Sequence, residues 1–399
     1  MASVATPDTA QPGDSAKGRT GIDRTAIEPR LLAILEDKHV RRKAGIYIPK
    51  TAEEIAAGVT RLFAHLGIAA TPRNVRRMGG GASKEQFVFD VDGDVAPEFS
   101  RCVLRMDPRE GIIETCRRRE VQVLRAVEGK VPVPPVFCSD TDGAILGQPA
   151  MITGFVGGVA KPSASGAGPS GLGGVMPEAL AKALTPQFVE YIAAVHAVDI
   201  RNAGLDDYAV PRPGTTDAAL WQVNYWTKVG ELDGTDPLPL LTMAETWLYD
   251  HLPVCEQPVL LHGDHRLGNF LFDEASMQIT SVLDWELSHI GDFHEDLAYS
   301  FEPLFGQRAP DGSLIIGSMM STDEFLERYQ ALTGRVVNRA TLHWYEVLTS
   351  YKLVMMNHTS SIIAARDGTN HQNALLSWLA AVTAGLSAHL IDLLAGDFA

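Results

Sequence analysis

The stretch Val259 to Asp296 constrains this chain more than any other. An apolar run, Val259-Leu260-Leu261, delivers His262-Gly263-Asp264, and Asn269 follows five residues after Asp264. Phe270-Leu271-Phe272 reads as a short strand, Asp273-Glu274-Ala275-Ser276 as a turn, and Ile279 to Leu283 as the returning strand, which ends on Asp284. One loop and one hairpin thus bring the oxygen-bearing side chains of Asp264, Asn269 and Asp284 to adjacent strand ends.

Phosphoryl transfer requires a carboxylate that orients an attacking hydroxyl and takes its proton. It also requires hard oxygen ligands for Mg²⁺ on the nucleotide phosphates. An Asp, an Asn five residues on and an Asp beyond a hairpin follow the arrangement of the kinase catalytic loop and its second metal-binding Asp. Gly263 stands where protein kinases carry Arg, and Trp285-Glu286 stands where they carry Phe-Gly. His262-Gly-Asp-x4-Asn269 followed by Asp284-Trp-Glu resembles the aminoglycoside phosphotransferase and choline kinase-like family. The run from Leu283 to Tyr299 looks closest to the branch found as the kinase-like domain of some acyl-CoA dehydrogenase family proteins. The resemblance covers roughly residues 70 to 300, and the terminal helices only loosely.

It implies an α+β, protein kinase-like fold of two lobes: a five-stranded antiparallel N-lobe and a mostly helical C-lobe. At 399 residues the chain is long enough for both. The expected divisions are a disordered tail (1–26), an N-terminal nucleotide-binding lobe with extra N-terminal helices (27–156), a flexible Gly/Ser-rich segment (157–177) and a helical catalytic and acceptor-binding lobe (178–399). A formal charge of -15 argues against nucleic acid or an anionic membrane as the main partner. No apolar run reaches spanning length and no secretory h-region opens the chain, so a cytoplasmic location is expected. Cys102, Cys116, Cys138 and Cys255 form no C-x-x-C pair and read as reduced, with Cys102, Cys116 and Cys138 in apolar segments.

Ahead of the catalytic stretch, Glu28 to Val40 and Thr51 to Leu66 are helical by period, Thr51 and Glu54 forming a capping box. These helices are expected on the outside of the first lobe. Gly79-Gly80-Gly81-Ala82-Ser83 lies between two strand-like segments, where bare backbone N–H groups can approach phosphates. In the next strand, Arg101 to Met106, alternation puts Val103 and Arg105 on one face and Cys102, Leu104 and Met106 on the other. Glu110 to Val127 reads as a helix with Glu120 on its apolar stripe, and an inward carboxylate needs a partner. The resemblance supplies one: Arg105 stands where protein kinases carry the strand Lys that pairs with a helix Glu. It also places Met151 to Gly157, with Thr153 and Phe155, at the adenine-binding hinge. Further on, Thr185-Pro186 reads as a helix start and Arg201 to Pro237 as largely irregular, with helix at Trp221 to Lys228. Asp292 is expected to cap the helix after it, and Asp296 to hold the catalytic loop from behind. Ser321 to Thr333, Arg339 to Met356 and His371 to Leu394 complete a helical C-terminus.

These expectations combine into an ATP- and Mg²⁺-dependent phosphotransferase acting on a hydroxyl of a small molecule. Asp264 is the proton acceptor, and Asn269 and Asp284 are the metal ligands. Gly79, Gly80, Gly81, Ser83, Val103, Arg105, Glu120, Thr153 and Phe155 form the nucleotide site. The acceptor could resemble a hydroxyacyl-CoA, an aminoglycoside or a choline-like alcohol. The rival is a catalytically silent nucleotide-binding or interaction module, which Arg105 in place of Lys would suit.

Overall fold

The computed structural model describes residues 21–42, 47–79, 84–109, 113–163, 175–233, 237–359, 361–362, 366 and 381–396. Its N-lobe is one antiparallel sheet of β1 (Ala70–Arg77), β2 (Glu85–Gly93), β3 (Arg101–Met106), β4 (Val136–Asp140) and β5 (Ala150–Gly154), in the order β1-β2-β3-β5-β4. Strand parity decides what each face does. Cys102, Leu104 and Met106 pack with Phe87, Phe89 and Ile152 in one apolar layer. That layer lies under the apolar stripe of α2 (Ala52–His65): Ile55, Val59, Leu62 and Phe63. The capping box of α2 is present, with Thr51 and Glu54 each accepting the other's backbone N–H, a device that contributes on the order of 1 kcal/mol. The opposite face carries Val103 and Arg105 toward the C-lobe.

Helix α1 (Pro29–Arg42) departs from the expectation that both N-terminal helices flank the first lobe. It packs against the C-lobe helix α5 (Asp217–Asp233). Asn224 of α5 donates to the carbonyls of Asp23 and Ala26, so residues 21–26 are not the disordered end that composition suggested. Residues 1–20 lie outside the described residues.

Helix α3 starts at Arg117 (Arg117–Val127), not at Glu110, and Cys116 before it is extended at φ -120°. The periodicity was real, but tertiary contacts decided the start. Thr115 Oγ1 accepts from the buried Lys84 at 2.6 Å, and Arg117 reaches out of the first turn to Asp107. Helix α4 (Glu178–His196) begins earlier than Thr185 and carries Pro186 in its interior. An interior Pro costs roughly 3 kcal/mol. Thr185 Oγ1 donates to the Ala181 carbonyl beside it, and burial of Leu180, Leu184, Phe188 and Ile192 outweighs the cost. The span Arg201 to Pro237 was expected to be largely irregular with helix only at Trp221 to Lys228, yet the whole of α5 falls in it.

The C-lobe continues with α6 (Pro239–Asp250), β6 (Val259–Leu261), the hairpin β7 (Phe270–Asp273) and β8 (Gln278–Val282), β9 (His289–Gly291) and α7 (His294–Ser300). Helices α8 (Thr322–Thr333), α9 (Arg339–His358) and α10 (Thr383–Ala395) follow. Of the expected helix His371 to Leu394, residues 371–380 lie outside the described ones. The segment after β5 is anchored where it is described: Val159 bridges Phe272, and Ser163 donates to Glu274. Residues 164–174 lie outside the described ones. No helix among the described residues is long and apolar enough to cross a membrane.

Candidate active site

Strand β6 pairs with β9, and the chain leaves it through His262 into the loop. Gly263 sits at φ +84°, and a Cβ there would fall 2.5 Å from the Leu287 carbonyl oxygen, so only glycine fits. Asp296, on α7, accepts the backbone N–H groups of His262 at 2.8 Å and Gly263 at 2.7 Å, and His196 Nε2 at 3.0 Å. Burial would raise this carboxyl, but His196, His262 and the loop N–H groups hold it well below the ordinary range. His196 is buried and serves as a structural partner of the loop. His262 Nδ1 accepts from the Asp264 N–H at 3.2 Å, so its Nε2 carries the proton and donates to the Leu283 carbonyl at 2.9 Å. Burial lowers its pKa, in keeping with that neutral ring.

The loop then closes onto the hairpin. Asn269 Nδ2 donates to the Asp264 carbonyl at 2.9 Å, and the Leu283 N–H donates to the Asn269 carbonyl at 2.7 Å. Phe270 pairs with Val282, so Asn269 and Asp284 occupy the same open end. Asp284 adopts a left-handed conformation at φ 66°, uncommon outside glycine. The Asp264 carboxylate accepts Arg266 Nε at 2.8 Å. Burial pushes Asp264 up, against the pull of Arg266.

From the N-lobe, Arg105 Nη1 donates to Glu120 Oε1 at 2.7 Å and Nη2 to Asp284 Oδ1 at 3.0 Å. Burial alone would raise the Asp284 carboxyl, but the Arg105 and Arg266 guanidiniums outweigh it and hold it low. Glu120 is 2% exposed and also takes Arg117 Nη1. Lys84 does not displace Arg105. It bonds Thr115 and lies 3.3 Å from Asp107 and 3.4 Å from Glu286. Burial raises Glu286 to about 7, with Lys84 opposing and Asp284 adding to the rise.

The remaining sequence candidates divide. Val103 and Thr153 are paired across β3 and β5, with Thr153 buried. Phe155 is 37% exposed with the Arg101 guanidinium over its ring. Gly79 ends the descent from β1, where a Cβ would meet nothing within 4 Å. Gly80, Gly81 and Ser83 lie outside the described residues. Arg266, a cation two residues after Asp264 inside the motif, is a site residue absent from the candidates above. Glu120 holds two arginines, Arg105 and Arg117, of which only the first is named above as its partner.

A family model, the phosphotransferase enzyme family, matches residues 74–345. Acyl-CoA dehydrogenase family member 10 of Mus musculus is 31% identical over 208 residues, which is 50% of this chain and 18% of that protein. IBR3 of Arabidopsis thaliana, named as an acyl-CoA dehydrogenase, is 28% identical over 318 residues, 73% of this chain and 37% of that protein. The chain therefore spans well under half the length of either relative. Among solved structures, a Ralstonia eutropha protein provisionally described as an aminoglycoside phosphotransferase aligns at TM-score 0.63 and 23% identity, over 84% of this chain and 97% of that one. A macrolide 2'-phosphotransferase type I aligns at TM-score 0.55 and 19% identity, over 84% and 99%. Both likenesses show the kinase-like fold.

Proposed function

The chain belongs to the phosphotransferase enzyme family, and from that premise we propose that it transfers the γ-phosphoryl group of ATP to a hydroxyl of a small molecule, with Mg²⁺ as cofactor. The observation that carries this reading is the convergence of Asp264, Asn269 and Asp284 at one end of the hairpin, with Arg105 reaching Asp284 from the opposite lobe.

Asp264 orients the acceptor hydroxyl and takes its proton. The hydroxyl oxygen forms a bond to the γ-phosphorus. The bond from that phosphorus to the bridging oxygen breaks, and its electron pair leaves with ADP. Asn269 keeps its amide oxygen, and Asp284 its second carboxylate oxygen, clear of any hydrogen bond among the described residues, a donor set that suits a hard cation. These two would hold Mg²⁺, which when bound neutralises charge on the nucleotide phosphates. Arg105, placed by Glu120, binds phosphate together with the backbone of the Gly79 to Ser83 segment. Val103, Thr153 and Phe155 flank the base.

One observation favours a second reading, a silent nucleotide-binding module. Arg105 replaces the compact ammonium of the kinase strand Lys with a wide fork. Two measurements separate the readings. A screen of hydroxyl metabolites with γ-labelled ATP must yield a phosphorylated product. Slow Mg²⁺-dependent ATP hydrolysis without acceptor must vanish in Asp284→Ala. If neither occurs while ATP still binds, the silent module stands.

A further inference from the structure

The reaction above leaves one cation of the catalytic loop without a task. Arg266 Nε donates to Asp264 Oδ1 at 2.8 Å and Nη1 donates to the Leu267 carbonyl at 3.1 Å. Its guanidinium lies 4.4 Å from the centre of the Phe305 ring. Among the described residues, no hydrogen bond engages Nη2. The side chain is 20% exposed, so it is largely withdrawn from water yet still open to a ligand. Arg266 also acts electrostatically on Asp284, so its charge faces the proton acceptor and the nucleotide-side carboxylate together. That is where the migrating phosphoryl group passes.

We propose that Arg266 is a catalytic residue that gives up Asp264 when nucleotide binds and donates to the oxygens of the phosphoryl group in flight. The inference rests on the phosphotransferase reading. A guanidinium carries five donors in a fixed fork, and phosphate oxygens bearing more charge than a carboxylate compete for it. Stacking on Phe305 fixes the plane of the fork while its partner changes. The exchange serves both groups. Asp264 sheds a cation that depresses its basicity toward the acceptor proton, and the equatorial oxygens gain that cation as the bridging bond breaks toward ADP. A purely structural arginine would have its outer nitrogen occupied or sealed.

The test uses the full chain, Mg-ADP with and without aluminium fluoride, and calorimetric titration of wild type and Arg266→Gln. Steady-state hydrolysis of ATP by water is measured in parallel. Arg266→Gln is expected to bind Mg-ADP like wild type, and to lose about a hundred- to a thousandfold of the affinity gained on adding aluminium fluoride. The kcat of hydrolysis falls with it, while KM for ATP changes little. Arg266→Lys recovers part of both. A folded Arg266→Gln that keeps the full gain overturns the proposal, and so does one that weakens Mg-ADP and the fluoride complex equally. If Arg266→Gln does not fold, Asp264→Asn is compared with Asp264→Asn/Arg266→Gln, where no carboxylate is left unpaired, and the same outcomes apply. A wild type that binds neither ligand overturns the phosphotransferase reading itself, a result distinct from a defect confined to the variant.

Discussion

Arg105 and Asp284 lie 179 positions apart in sequence and 3.0 Å apart in the fold. The same guanidinium holds Glu120 at 2.7 Å, so the N-lobe reaches the end of the C-lobe hairpin through one side chain. Asp284 thereby has a protein counter-ion that an incoming cation must share or replace.

Arg105→Ala is therefore expected to raise KM for ATP and lower kcat together, and Arg105→Lys to recover part of each. Removing one partner of a buried pair costs roughly 3–5 kcal/mol. Arg105 is 15% exposed and opens onto the cleft, so the stability loss should fall below that range. Steady-state kinetics and chemical denaturation check both, and an unchanged KM would remove Arg105 from the nucleotide site.

Asp264→Asn keeps the shape of the loop and removes the proton acceptor. It should fold and bind nucleotide, and transfer phosphate about a hundred- to ten-thousandfold more slowly. Turnover of a confirmed acceptor close to the wild-type rate would end the assignment of Asp264 as base.

Asp284→Ala should abolish thermal stabilisation by ATP with Mg²⁺, whereas Asn269→Ala should only reduce it. A carboxylate brings a full charge to the cation and an amide only a dipole. Equal stabilisation of wild type and Asp284→Ala would count against metal binding there.

Glu302 offers a pH test away from the site. It is buried, accepts from Ser350 Oγ at 3.0 Å, and burial pushes it up to about 7. An unfolded Glu titrates near 4.3. Its folded pKa is raised, so its stabilising share is complete below about pH 4.3 and is lost as pH rises through about 7. That share is on the order of 3 kcal/mol. Glu302→Gln should lose less stability than wild type between about pH 4 and about pH 7, the window set by those two values, leaving the share of Glu286, also raised to about 7. Parallel denaturation profiles for both proteins would contradict it.

The catalytic stretch was legible because its information is local. The spacing of Asp264, Asn269 and Asp284 with an intervening hairpin fixes their convergence; period and parity gave the faces on which Glu120 and Arg105 lie, and the family resemblance supplied their pairing. What stayed hidden depended on distant partners. Nothing in the run from Glu110 reveals that Thr115 will serve Lys84, or that Cys116 will be extended and delay α3 to Arg117. Pro186 reads as a helix start until Thr185 and the buried stripe of α4 are seen to carry the helix through it. Arg266 was in plain view, but its bond to Asp264 needed a bend in the loop that periodicity does not encode.

The placement of α1 bears on how the cleft works. Glu28 accepts Arg119 Nη1 at 2.6 Å with one carboxylate oxygen and the Ala209 N–H at 3.0 Å with the other, while Arg119 also reaches the Ser288 carbonyl. Arg119 adjoins Glu120 on α3, so the segment ahead of the kinase core is riveted to both sides of the cleft at its back. A swing of one lobe on the other would first have to break this Glu28 joint, so a closing motion has to turn about it.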